Sequence, residues 1–178
     1  MADISQFINK YQKYNSTFKA TSLDDSNNIS VCTDKSQSVI NFDKIIELKY
    51  PNSNTRPKSF DAIYIYEDKI FCIEFKNQKP SDIRNLEIEE KLQNGINELI
   101  KIFANLNIQK KRYNFVFCVA YKRCKEPIDR YKCGIGKNSV LFGLDKCKHK
   151  NPISDIFTEN VDFFTKQFKN LTKKELTC

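Results

Sequence analysis

Apolar residues recur along the chain at two different spacings. Ile4, Phe7, Ile8, Tyr11 and Tyr14 follow helical spacing behind Asp3, which predicts a helix over 3–18 capped by Asp3. Residues 19–28 are polar and read as a loop, and Ile29 to Thr33 as a short strand. Val39, Phe42, Ile46 and Tyr50 share one face of a second helix, capped by Ser36 or Ser38 and ended by Pro51. The loop PNSNTRPKS leads into two strand-like runs, FDAIYIY and KIFCIEFK, separated by Glu67-Asp68. A long helix follows, opened near Pro80 and Ser81 and reaching about Leu106, with Ile88, Leu92, Ile96, Leu99 and Phe103 on its apolar face. YNFVFCVAY, Tyr113 to Tyr121, reads as a buried strand. Residues 122–138 form a basic loop, Ser139 to Leu144 a short strand, and Ser154 caps a last helix bearing Ile156, Phe157, Val161, Phe164 and Phe168. Strands interleaved with helices predict an α/β layered domain.

The two central runs carry the most chemistry. A two-residue turn at Glu67-Asp68 sets Tyr66 opposite Lys69 and Asp61 opposite Glu74. Directly opposed residues of an antiparallel pair share a face, and Lys76 lies on that face two residues beyond Glu74. The same face carries Ile63, Ile65, Ile70 and Cys72; the other carries Phe60, Ala62, Tyr64, Phe71, Ile73 and Phe75. Two apolar faces predict a sheet covered on both sides. Opposed carboxylates there repel and titrate upward unless a cation lies between them. A hard divalent ion with oxygen ligands, Mg²⁺ or Mn²⁺, resolves the conflict. The plainer account makes these strand-end charges, with Glu74 in an ordinary ion pair with Lys76.

KSFDAIYIYEDKIFCIEFKNQ resembles the active-site hairpin of the PD-(D/E)xK nucleases, which share the restriction-endonuclease-like fold. The resemblance spans residues 38–121. It implies a central mixed sheet flanked by helices on both faces, with an αβββαβ core. Residues 1–36 would then be a helix-and-strand extension, and 122–178 a basic loop, strand and helix, all in one domain. The resemblance also implies that Asp61, Glu74 and the backbone carbonyl of Phe75 bind the metal, and that Lys76 orients the attacking water. Phe60 stands where the family name has Pro. The family often has a strand between its first helix and the Asp strand; PNSNTRPKS is short for one, and Ile29 to Thr33 is the other source. A first-helix Glu often joins the metal site in this family. Asp43 and Glu47 lie one turn apart at the edge of the apolar stripe, and Glu47 is taken for that role. On the following helix Glu89 falls inside the apolar arc beside Gln93, and Gln93 resembles the catalytic helix glutamine of some exonuclease-like members, with Asn97 in place of the expected aromatic. Lys91 projects the other way, toward solvent.

The 178 residues make one domain with no room for a second sizeable core. The net charge of +8 favours a polyanion. Lys122, Arg123, Lys125, Arg130, Lys132 and Lys137, interleaved with Tyr121 and Tyr131, form the expected nucleic-acid contact. These features predict a Mg²⁺-dependent endonuclease of restriction or defence type, acting on DNA rather than RNA. Homodimerisation would suit double-strand cutting. A junction resolvase or repair nuclease is the alternative within that class. A catalytically inactive nucleic-acid-binding or protein-interaction module on the same fold is the alternative outside it. Seven cysteines without a Cys-x-x-Cys pair predict reduced thiols, not a disulfide framework or a zinc knuckle. No apolar run approaches the roughly 20 residues of a membrane span, and the first residues lack a signal-peptide core, so a cytoplasmic protein is expected.

Overall fold

The strands β5 (Ala62–Tyr66) and β6 (Lys69–Lys76) pair antiparallel in the expected register, from Ala62 opposite Ile73 to Tyr66 opposite Lys69. The turn falls at Glu67-Asp68, with Glu67 at φ +53°. In the computed structural model, which describes residues 3–123, 140–150 and 152–178, this hairpin is the centre of a six-stranded mixed sheet. β7 (Asn114–Tyr121) lies parallel to β6, and β8 (Ile153–Asn160) parallel to β7. On the other side β4 (Ser38–Asn41) pairs antiparallel with β5, and β1 (Asn15–Thr17) closes that edge against β4. A separate two-stranded ribbon joins β2 (Leu23–Asp24) to β3 (Ile29–Ser30).

Helices cover both faces, as the apolar residues on each side of the hairpin require. On one face α1 (Ile4–Tyr11), α3 (Phe42–Lys49) and α4 (Asn85–Asn105) bury Phe7, Ile46, Ile88, Leu92 and Leu99 against Ile63, Ile70, Cys72 and Phe117. On the other, α2 (Phe18–Thr21) and α5 (Val161–Thr172) place Phe18, Phe164 and Phe168 over Tyr64, Phe71 and Phe75. Phe60 departs from its expected face. It precedes the paired part of β5, stacks on Phe42 at 4.6 Å, and belongs to the α4 side. A Cβ at Gly95 of α4 would come within 2.6 Å of the Phe60 ring, so α4 approaches the sheet this closely only with glycine there.

Several segments differ from the sequence reading. The first helix stops at Tyr11, because the chain turns at Gln12–Tyr14 and Asn15–Thr17 is drawn into the sheet beside β4. Ser38–Asn41 is a strand and not the first turn of α3; Val39 and Ile40 are β-branched, and the ladder pairs Ile40 with both Asn15 and Ile63. The helix begins instead at Phe42, where Asn41 Oδ1 accepts the Lys44 N–H at 3.0 Å. Ile153–Asn160 is β8 and not the start of the last helix, which opens at Val161 with Asn160 as its cap. Val140 to Leu144 is not a strand; the chain turns through Phe142 and Gly143, both at positive φ, into a 3₁₀ turn at Leu144–Cys147. Ser81 lies in a 3₁₀ turn, and α4 starts later, at Asn85.

The expected strand between the first core helix and the Asp strand does not form among the described residues. Its place beside β5 is taken by β4, which precedes the helix, so the core runs β4–α3–β5–β6–α4–β7 and not αβββαβ.

The expectation of reduced thiols fails at one pair. Cys32 and Cys178 form a disulfide across 146 residues. Thr33 and Asp34 hold the same segment, Oγ1 of Thr33 donating to the Thr177 carbonyl and Asp34 Oδ2 accepting the Thr177 N–H. The partnership depends on a tertiary contact that no spacing rule reveals. Cys72, Cys118 and Cys147 are free and buried, and Cys124 and Cys133 lie outside the described residues.

Candidate metal centre

Asp61 sits one residue before β5. Its N–H donates to the Ile73 carbonyl and its own carbonyl accepts the Phe42 N–H, both at 3.0 Å. Its side chain then crosses to the neighbouring strand, where Oδ2 accepts the Phe75 N–H at 2.6 Å. The carboxylate thereby extends the ladder where backbone pairing ends, and it turns toward Glu74. Glu74 is fully buried. Lys76, two residues on, is 14% exposed and lies 3.2 Å from Glu74 Oε1; it also pairs with Glu87 in the first turn of α4. The ladder ends at Ala62 opposite Ile73, so Asp61 is not paired directly opposite Glu74; its side-chain bridge to the Phe75 N–H brings the carboxylate toward Glu74 instead.

Lys91 corrects the sequence reading. It does not point to solvent. Its Nζ lies 2.7 and 2.9 Å from the two oxygens of Glu74 and 3.7 Å from Asp61 Oδ1. The readable signal was Gly95: Lys91 stands one turn before it, on the face that approaches the sheet. The first-helix acid is also corrected. Glu47 is held by Lys44 and Arg56, at 2.8 and 3.3 Å, on a part-exposed surface. Asp43, one turn earlier, is the acid on the site side: Ser59 donates to it, and it lies within the electrostatic reach of Asp61, Glu74 and Lys91. Gln93 is elsewhere too. It donates to Glu89 at 3.0 Å, Glu89 pairs with Lys146, and both line a separate cavity of about 380 Å³ beside Cys147.

Charge is crowded at this centre. Burial, followed by the charge of Glu74, pushes the Asp61 carboxyl well above the ordinary carboxylate range. Burial also raises Glu74 and Asp43, with Lys91 pulling in the opposite direction on both. For Lys91 itself, burial disfavours the charged form, but Glu74 and Asp61 more than offset that and hold it protonated. Asp43, Asp61, Glu74 and Glu87 gather around Lys76 and Lys91, and the exposed Lys44 and Lys58 act on Asp43 and Glu87 from outside.

The centre opens into a polar cavity of about 290 Å³. Asp61, Glu74, Lys76 and Lys91 form one side, and the α2–β3 segment, including Thr21 and Asp24, forms the other. Asn77 ties the two by donating to Asp24 Oδ2 at 3.1 Å. The far end of that segment is fixed by Cys32 and by Phe18, which packs against Phe75 and Phe168. The basic stretch leaves β7 beside the centre, since the Lys122 N–H donates to the Lys76 carbonyl at 2.9 Å. Arg123 forms a forked pair with Asp162. Lys125, Arg130, Lys132 and Lys137 lie outside the described residues.

Among the described residues no group of three or more His, Cys, Asp or Glu side chains forms a ready cage for a metal ion. Asp61 and Glu74 nonetheless fit a divalent ion in donor type. Both are hard oxygen donors that converge on one cationic atom, Lys91 Nζ. Mg²⁺ retains several waters and requires only one or two carboxylates. Asp43 lies within electrostatic reach of both carboxylates, and Phe75 lines the same cavity. No family model matches the chain, and no curated protein or solved structure matches it. No described helix is long and apolar enough to cross a membrane.

Proposed function

We propose that this chain is a Mg²⁺-dependent nuclease of the PD-(D/E)xK type that hydrolyses phosphodiester bonds, with DNA as substrate. The observation that carries this reading is the buried Asp61–Glu74 pair, with Lys76 beside it at a polar cavity. Asp61 and Glu74 would hold the ion, with the Phe75 carbonyl and Asp43 as supporting donors. A bound divalent ion supplies an activated water and neutralises charge on the phosphate. Asp61 is kept in place by the Phe75 N–H, and Glu74 by its buried position near the C-terminal end of a covered strand. Lys76 has an ammonium group that can leave Glu87 to donate to the phosphate or to the attacking water, stabilising charge as it develops. The +8 net charge and the cations from Lys122 onward favour the nucleic acid.

The second reading is a nucleic-acid-binding or protein-interaction module on this scaffold without catalysis. Lys91 favours it, because its ammonium already neutralises Glu74. One assay separates the two. The protein is incubated with plasmid, linear duplex, single-stranded DNA and RNA in Mg²⁺, Mn²⁺ or EDTA, beside Glu74→Ala and Lys76→Ala. Cleavage lost in EDTA and in both variants supports the nuclease. DNA binding without cleavage in any metal supports the module.

A further inference from the structure

Lys91 is unusual in having no role in the hydrolysis just described and yet the best-placed charge in the centre. Its Nζ touches both oxygens of Glu74 and reaches toward Asp61, the space any ion shared by the two carboxylates must use. Its stem comes from α4, one turn before the glycine that brings that helix onto the sheet. The two carboxylates are thus supplied with a covalently tethered cation. An ammonium placed there competes with a divalent ion for the same carboxylate oxygens, and the two cations repel each other.

We propose that Lys91 is a built-in competitor of the divalent ion: it holds Asp61 and Glu74 together in the metal-free protein and must withdraw before a metal binds. This rests on the metal-dependent reading above. The fold offers Lys91 somewhere to go. Glu87 lies one turn earlier on the same helix, at the i, i+4 spacing that brings side chains together, and its present partner is Lys76. Movement of Lys91 onto Glu87 releases Lys76 toward the cavity. Entry of the ion and freeing of Lys76 are therefore one exchange of partners, in which no charge is left buried without a counter-charge.

Two measurements test this, neither of which reads cleavage. The first is Mn²⁺ binding by calorimetry to wild type, Lys91→Met and Glu74→Gln. Lys91→Met is expected to bind Mn²⁺ about tenfold more tightly than wild type, since no tethered cation is displaced, and Glu74→Gln to lose binding. The second uses unaltered protein and needs no variant to fold. An amine-acylating reagent with mass-spectrometric readout should label Lys91 several times faster in saturating Mn²⁺ than in EDTA, relative to exposed Lys111. If wild type binds Mn²⁺ but Lys91→Met binds no tighter, or Lys91 labelling does not change on saturation, the competitor role is overturned and the metal site stands. If no variant binds Mn²⁺, the metal reading and the competitor role fall together.

Discussion

The Asp61 carboxylate accepts the backbone N–H of Phe75, the residue that follows Glu74, at 2.6 Å. One side chain thus has a structural duty through Oδ2 and an electrostatic one through Oδ1, and the two can be separated. Asp61→Asn retains an acceptor for the Phe75 N–H and removes a charge that burial and Glu74 both disfavour. It should melt at or above the wild-type temperature while losing Mn²⁺ binding and cleavage. Asp61→Ala loses the acceptor as well, and an unpartnered strand N–H costs about 1–3 kcal/mol. Thermal denaturation of the two variants, alongside a cleavage assay, checks the difference.

The raised carboxyls make metal-free stability depend on pH. Burial lifts Asp61 and Glu74 above their unfolded values, so between the unfolded and folded pKa values the folded state binds more protons. Stability from this source is fully present below about pH 4 and is lost as pH rises through the raised values. Melting temperature in EDTA should therefore fall as pH rises through that window, and Mn²⁺ should flatten the fall by favouring the ionised pair. A melting temperature that climbs with pH in Asp61→Asn but falls in wild type would assign the effect to this carboxyl.

Asp43 and Glu47 differ by one helical turn, and only Asp43 is on the site side. Asp43→Asn should weaken Mn²⁺ binding and reduce cleavage by about tenfold or more, the scale of one lost charge-assisted contact. Glu47→Gln, which removes only part-exposed pairs, should change both by less than about twofold and stability by under about 1 kcal/mol. Parallel titrations with Mn²⁺ decide between the two acids.

Gly95 and Phe60 make a packing prediction. A methyl at 95 meets a ring already stacked on Phe42, and overpacking of this kind costs about 1–3 kcal/mol. Gly95→Ala should be destabilised despite the better helix propensity of alanine. Phe60→Leu in the same chain should recover part of the loss in denaturant unfolding.

The Cys32–Cys178 bond constrains a 146-residue separation. Reduction, or Cys32→Ser, should lower stability by about 2–4 kcal/mol. Hydrogen exchange should rise first in the α2–β3 segment, which lines the cavity and is anchored at that cysteine.

The local pattern by itself determined the hairpin. Alternation over FDAIYIY and KIFCIEFK and a two-residue turn are enough to set the register, and register decides which side chains share a face. Covered faces follow from the same residues, as do the long α4 and the buried β7. The tertiary structure alone decided the rest. Ser38–Asn41 and Ile153–Asn160 fit helical and strand spacing alike, and became strands because the neighbouring ladder had unpaired backbone groups to fill. Lys91 and Asp43 entered the centre, and Glu47 and Gln93 did not, because helix rotation is set by packing against the sheet, at Gly95 and Phe60 above all. A change in rotation of one residue position exchanges which charge is buried. The order of residues fixes which groups share a strand face; only the packed helix fixes which charge is brought to meet them.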